Sequence, residues 1–137
     1  MKWGNDELHY MRAFEQISRV TPKDCIVGKN GITFLVPEKD MGQAIGKAGI
    51  TIQLAREKMG KKVEVLAFED DPALFVKKAL YFVKFEDVEV RESGEKRTLM
   101  LMVDSENRRK LENSGGKLKK LKEIVHRNYS IDDIRTR

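Results

Sequence analysis

The chain has 137 residues, 40% of them hydrophobic and 36% charged, enough apolar material for one ordinary core or two small ones beneath a densely ionic surface, but not for one large globule. Lysine and arginine number 27 against 22 acids, a formal net charge of +5, which favours polyanionic partners, with nucleic acid ahead of an anionic membrane. There is no apolar run of the roughly 18 residues needed to span a bilayer, and MKWGNDELHY lacks the apolar segment of a signal peptide, so a cytoplasmic chain is expected.

Asn5 or Asp6 is placed to cap a helix through ELHYMRAFEQISRV, in which Leu8, Met11, Phe14 and Ile17 recur every third residue and give one buried face. In TPKDCIVGKNGITFLVPEKD the β-rich runs CIV and ITFLV flank a GKNG turn, and Pro37 closes the second run, which predicts a hairpin. Cys25, the single cysteine, excludes an internal disulfide and a cysteine-based zinc cluster, and reads as a buried strand residue. DMGQAIGKAGITI follows, then a helix through ITIQLAREKMG ending at Gly60 and a strand in KKVEVLAF. The order is helix, strand, strand, helix, helix, strand.

The same order returns. Asp71 and Pro72 offer an N-cap and a first-turn proline to a helix through PALFVKKALYF, so FEDDP is the expected boundary between two units, 1–70 and 71–137. KFEDVEV and KRTLMLMV then flank a turn in RESGE. Asp104 or Ser105 can cap a helix through ENRRKLE, and NSGG, a helix KLKKLKEIV and the β-compatible NYSIDDIR complete the repeat.

Residues 40–52 hold two glycines inside an amphipathic stretch, where each costs roughly 1 kcal/mol relative to alanine if a helix continues. A nucleotide-phosphate loop needs GxxxxGK followed by Ser or Thr; Gly42 to Gly46 is one residue short and Ala48 stands in place of the hydroxyl, so nucleotide hydrolysis is not expected. A plain helix-helix turn, with Gly46 at positive φ, accounts for the stretch. So does a phosphate-clamping loop: glycine lets a sugar-phosphate backbone approach the main chain, the following helix offers unpaired amides, and Lys47 adds charge.

Ile45-Gly46-Lys47-Ala48-Gly49-Ile50-Thr51-Ile52 matches the IGxxGxxI signature of KH domains and lies between two short helices after a hairpin, so each unit resembles a type II KH domain. The resemblance implies an α/β (α+β) fold of two tandem units, each with a three-stranded sheet covered by helices. It also implies a loop that clamps about four nucleotides of single-stranded RNA with the bases in an apolar groove. Carried over by position, the RNA-binding residues are Ile45, Gly46, Lys47, Ala48, Gly49, Ile52, Gln53 and Arg56, with Ile45 and Ile52 anchoring the two helices. In the second unit they are Asn113, Ser114, Gly115, Gly116, Lys117 and Lys120. Leu111 and Leu118 in the anchoring positions make the second loop Glu112-Asn113-Ser114-Gly115, a degenerate version with an acid in place of the first glycine.

Two such units, together with the strings DMGQAIGKAG, FEDDPALFVKKAL and YSIDDI, resemble the archaeal NusA-like transcription factors across essentially the whole chain. That implies a monomeric, non-catalytic protein acting on nascent transcripts in termination, pausing or antitermination, with RNA as partner and no cofactor. The chain has no room for the polymerase-binding and OB-fold domains of longer bacterial relatives, so direct docking to RNA polymerase has no support in the sequence. Two rival readings are an RNA-binding role in ribosome assembly or translation and a protein-interaction module with lapsed loops.

Other candidates carry less. His9 and His126 have no cysteine partners and give no metal spacing. Glu69, Asp70 and Asp71 read as helix-start acids. Lys117, Lys119, Lys120 and Lys122 surround the apolar face of Leu118, Leu121, Ile124 and Val125, either as a solvated face or as phosphate contacts. Sequence places none of Trp3, Tyr10 and Tyr81 near the loops, so base stacking is not expected.

Overall fold

The structure, a computed structural model, describes residues 3–29 and 31–137. The chain divides into two compact units, residues 1–69 and 70–137. Each contains a helix, an antiparallel hairpin, two further helices and a last strand that returns parallel to the hairpin's second strand. This is the element order of the type II KH fold.

In the first unit, α1 (Asn5–Ser18) buries Met11 and Phe14, as the three-residue spacing predicts. Its cap is Gly4, one residue before the expected Asn5 or Asp6, with the Gly4 amide donating to Glu7 Oε1 at 3.4 Å. The helix stops at Ser18 because Arg19 turns left-handed at φ 62°. Strands β1 (Asp24–Val27) and β2 (Gly31–Pro37) pair antiparallel; Asn30 of the expected GKNG turn lies outside the described residues. Helices α2 (Met41–Ile45) and α3 (Ile50–Met59) cross back to β3 (Lys62–Phe68), with Gly60 ending α3 at φ 63°. The core joins Phe14, Cys25, Ile32, Phe34, Val36, Ala44, Ala55 and Val63, with the Phe14 and Phe34 rings stacked 4.2 Å apart. Asp24 is fully buried at the start of β1, its Oδ1 accepting from Trp3 Nε1 and the Cys25 amide, both at 2.8 Å.

The second unit opens as read: the Asp71 side chain accepts from the Ala73 amide at 3.0 Å and Pro72 begins α4 (Pro72–Ala79). The helix ends three residues before the expected Phe82, since Leu80 leaves helical geometry and Val83 closes a turn onto its carbonyl at 3.0 Å. Strands β4 (Asp87–Ser93) and β5 (Lys96–Met102) are joined by two residues only, Gly94 and Glu95. Arg91, Glu92 and Ser93 thus belong to the strand rather than to the turn, which is tightened by Gly94 at φ 63°. The carboxylate of Asp104 caps α5 (Ser105–Glu112), accepting from the Asn107 amide at 2.8 Å. Helix α6 (Lys117–Tyr129) runs past the expected Val125, taking Asn128 and Tyr129 out of the predicted strand. Tyr129 meets the Phe75 ring at 5.7 Å, so tertiary packing overrides its β propensity. Strand β6 (Asp133–Thr136) is correspondingly short and pairs parallel to β5. Burial raises the pKa of Asp133, but hydrogen bonds from Arg135 and the Ile134 amide, with the charge of Lys122, outweigh it and hold the carboxyl below its usual range.

Candidate nucleic-acid interface

Four residues, Gly46 to Gly49, join α2 to α3. Gly46 closes α2, its amide bonding to the Gly42 carbonyl at 2.8 Å, and adopts φ 82°, ψ 163°, a conformation open to glycine alone. A Cβ there would stand 2.7 Å from the Thr51 amide nitrogen and would overlap Thr51 Oγ1. The missing side chain is therefore required by the turn's own packing. Ala48 and Gly49 follow at φ 55° and 76°, and Gly49 N returns to Gly46 O at 3.0 Å. The amides of Lys47 and Ala48 take no part in these bonds, and both side chains are exposed.

Apolar surface borders this loop. Ala44 is the α2 residue that enters the core, whereas Ile45, expected as an anchor, is 37% exposed. Ile52 does pack against the core. Ile50 is 69% exposed and Leu54, one turn on, is also exposed; Leu54 further lines an open groove between α1 and α3 with Tyr10, Ala13, Ile17 and Met59. Gln53 is exposed on α3. Arg56 is turned to the sheet, Nη2 donating to the Val63 carbonyl at 3.2 Å. Gln43, which sequence reasoning missed, ties α2 to the end of α1 by donating to the Ser18 and Arg19 carbonyls at 3.0 and 3.3 Å.

The second loop also has four residues, Asn113 to Gly116, between α5 and α6. Counted from the helix ends, Asn113 occupies the place of Gly46, and the expected Glu112 is instead the last helical residue of α5. Leu111 is buried like Ala44, and Leu118 is half-buried. Asn113 has an ordinary backbone at φ −88°, Ser114 Oγ donates back to the Leu111 carbonyl at 2.6 Å, and Gly115 at φ 68° has open space where a Cβ would be. Gly116 also meets nothing. Nothing in this loop repeats the close approach at Gly46. Lys117 begins α6 with its ammonium 5.7 Å from the ring centres of both Tyr81 and Phe82. Lys120 is half-buried and Lys119 exposed. Lys122 pairs with Asp133 at 3.5 Å.

Among the described residues no three His, Cys, Asp or Glu side chains come together as a metal would require, and no helix is long and apolar enough to cross a membrane.

Two units of this order, each with a four-residue joint between its paired helices, define a tandem type II KH protein. The chain belongs to the archaeal NusA family: it is 30% identical to the probable transcription termination protein NusA of Methanocaldococcus jannaschii over 95% of this chain and 72% of that protein. It is 28% identical to the protein of the same description from Methanococcus vannielii, over 85% of this chain and 68% of the relative, and 25% identical to that of Halococcus morrhuae, over 93% and 91%. The crystal structure of APE1850 matches 98% of this chain and 100% of its own, with a TM-score of 0.83 and 30% identity. No protein-family model matches the chain.

Proposed function

We infer that the chain is a non-catalytic, cytoplasmic protein that binds single-stranded RNA, with nascent transcripts as its target in transcription termination, pausing or antitermination. The observation that carries this reading is the Gly46–Gly49 loop, where exposed Lys47 stands between exposed Ile45 and Ile50. Phosphate meets the lysine and loop amides while bases cover apolar surface that water otherwise faces. Membership of the NusA family supports the setting in transcription. The protein acts as a monomer in this reading, and a direct contact with RNA polymerase is not part of it. ATP and GTP are expected to be turned over no faster than background, since loop spacing and hydroxyl both differ from a nucleotide-phosphate loop.

The test is binding of single-stranded RNA by the full chain with Lys47→Asp and, separately, Gly49→Asp. Gly49 has room for a side chain, a Cβ meeting only Ile52 Cγ2 at 3.9 Å, and its φ of 76° costs an aspartate about 1–2 kcal/mol, whereas Gly46→Asp would also disturb the turn itself. Both folded variants should bind more weakly, and wild-type affinity should fall with salt at a slope of roughly 0.7 per neutralised phosphate. Unchanged affinity in both removes the clamp. Crosslinking in cells should recover nascent transcripts; mainly ribosomal RNA would move the protein to ribosome assembly or translation.

A further inference from the structure

Tyr81 is the most exposed large hydrophobic side chain among the described residues, at 81%. It stands on a bend pinned on both sides: Leu80 and Val83 are buried and joined by a 3.0 Å backbone bond, and the Lys84 amide donates to Asn107 Oδ1 at 2.8 Å. Asn107 is itself buried and held by the Asp104 carboxylate. Phe82 meets the Tyr81 ring edge-on, centroids 5.6 Å apart at 88°. The ring is thus presented to solvent by a fixed backbone, beside the lysine that follows the second loop.

We propose that Tyr81 and Lys117 form a stacking site on the second unit, the ring taking one nucleobase of single-stranded RNA and the ammonium the adjoining phosphate. An exposed aromatic plane gains little from water and much from a second flat π surface, and every base has one. The charge beside it suits a polyanion, the Lys117 ammonium lying 5.7 Å from the ring centre. The first unit differs at the matching bend after its first helix, which carries Arg19, while its apolar surface comes from Ile50 and Leu54 on α3. In α6 the position of Ile50 is taken by Lys117 and that of Leu54 by Leu121, which is buried, so Tyr81 supplies the exposed apolar surface that α3 supplies in the first unit. This inference rests on the RNA-binding reading above and adds a contact that reading does not contain.

The experiment compares full-length wild type, Tyr81→Ala, Tyr81→Phe, Lys117→Gln and Lys47→Asp against single-stranded oligoadenylate RNA and an abasic oligomer of equal length. Tyr81→Ala should bind oligoadenylate about tenfold more weakly, within the range for loss of one stacked base, and the abasic oligomer unchanged. Tyr81→Phe should bind both like wild type. Lys117→Gln should weaken both and flatten the salt slope by roughly 0.7. Wild-type affinity in Tyr81→Ala, an equal loss on the abasic oligomer, or a loss in Tyr81→Phe overturns the stacking site. If Lys47→Asp alone weakens binding, the protein is still RNA-binding and only this site falls; if wild type binds no single-stranded RNA, both readings fall together.

Discussion

Gly46 and Thr51 compete for the same space: a Cβ on residue 46 would lie 2.7 Å from the Thr51 amide nitrogen, inside any real contact distance. The glycine therefore acts first on the protein's own chain, letting α2 stop and the first turn of α3 pack against the stop. On the RNA-binding reading, what it offers a ligand is the turn this makes possible, with the Lys47 and Ala48 side chains exposed between Gly46 and Gly49. Gly49 is a contrast, needed for its φ of 76° but not for space.

Alanine substitution should separate the two roles. Gly49→Ala is expected to cost about 1–2 kcal/mol for a left-handed alanine. Gly46→Ala adds overlap with Thr51 to a glycine-only conformation that alone costs about 1–3 kcal/mol, so it should be the more damaging of the two. Urea unfolding followed by circular dichroism measures both; equal losses would mean that the Gly46 turn relaxes at no cost.

The tether of Trp3 to Asp24 gives a second expectation. The indole donates to a carboxylate that is wholly buried, and Trp3→Phe keeps much of the aromatic packing while removing that donor. Oδ1 keeps the Cys25 amide as a donor, so the expected cost is that of one hydrogen bond, about 0.5–1.5 kcal/mol. The urea midpoint should fall with an unchanged slope, and a wild-type midpoint would show that the bond contributes nothing.

Much of this was legible in the sequence, for local reasons. Asp71, Pro72, Asp104 and Gly60 mark helix ends through their own side chains or lack of one, and each does so in the structure. What was not legible depends on partners far along the chain or on a phase that propensity does not set. The parallel return of β3 beside β2 is a tertiary choice. The reason for Gly46 lies in Thr51, and the reach of α6 to Tyr129 lies in Phe75. Tyr81 comes beside the second loop only because α4 stops at Ala79 and the chain bends. Reading the second loop from Leu111 put an acid at the glycine position; the helix end puts Asn113 there.

The cap of α5 sets a pH expectation. Hydrogen bonds from the Asn107 amide, then from its side chain, hold the Asp104 pKa below 3.8, with Lys110 and Lys84 assisting against desolvation. A carboxyl depressed in the folded state contributes stability that is present above its unfolded pKa and is lost as pH falls through the folded one. The contribution should therefore be complete above the unfolded value of 3.8, shrink below it, and vanish once the folded pKa is passed. In Asp104→Asn, which still caps but does not titrate, the fall of Tm on acidification should be shallower than in wild type. Parallel Tm curves would exclude Asp104 as a contributor.

The two loops should differ in what they contribute to RNA binding. The first has a main chain shaped by Gly46 and apolar side chains beside it, so on the RNA-binding reading it is the loop expected to sense which bases follow a phosphate. The second has Ser114 bonded back to its own helix and an exposed carboxylate, Glu112, one residue before the loop, with lysines after it. Such a surface attracts phosphate at range without reading bases, and its attraction fades with salt. In the full chain Ile50→Ala, which removes exposed apolar surface beside the first loop, should lower affinity unequally across RNA sequences and so narrow the preference. Lys119→Gln with Lys120→Gln should lower it nearly uniformly and reduce the salt slope by roughly 0.7 for each phosphate no longer neutralised. Glu112→Gln keeps the helix end and removes one repulsion of well-screened strength, so affinity should rise by about twofold at low salt; Glu112→Gly would confuse this with loss of helix propensity. Binding to a small panel of single-stranded RNAs at two salt concentrations decides it. If the lysine pair in α6 changes the preference and Ile50→Ala does not, the base-reading loop is the second one and the assignment of roles is reversed.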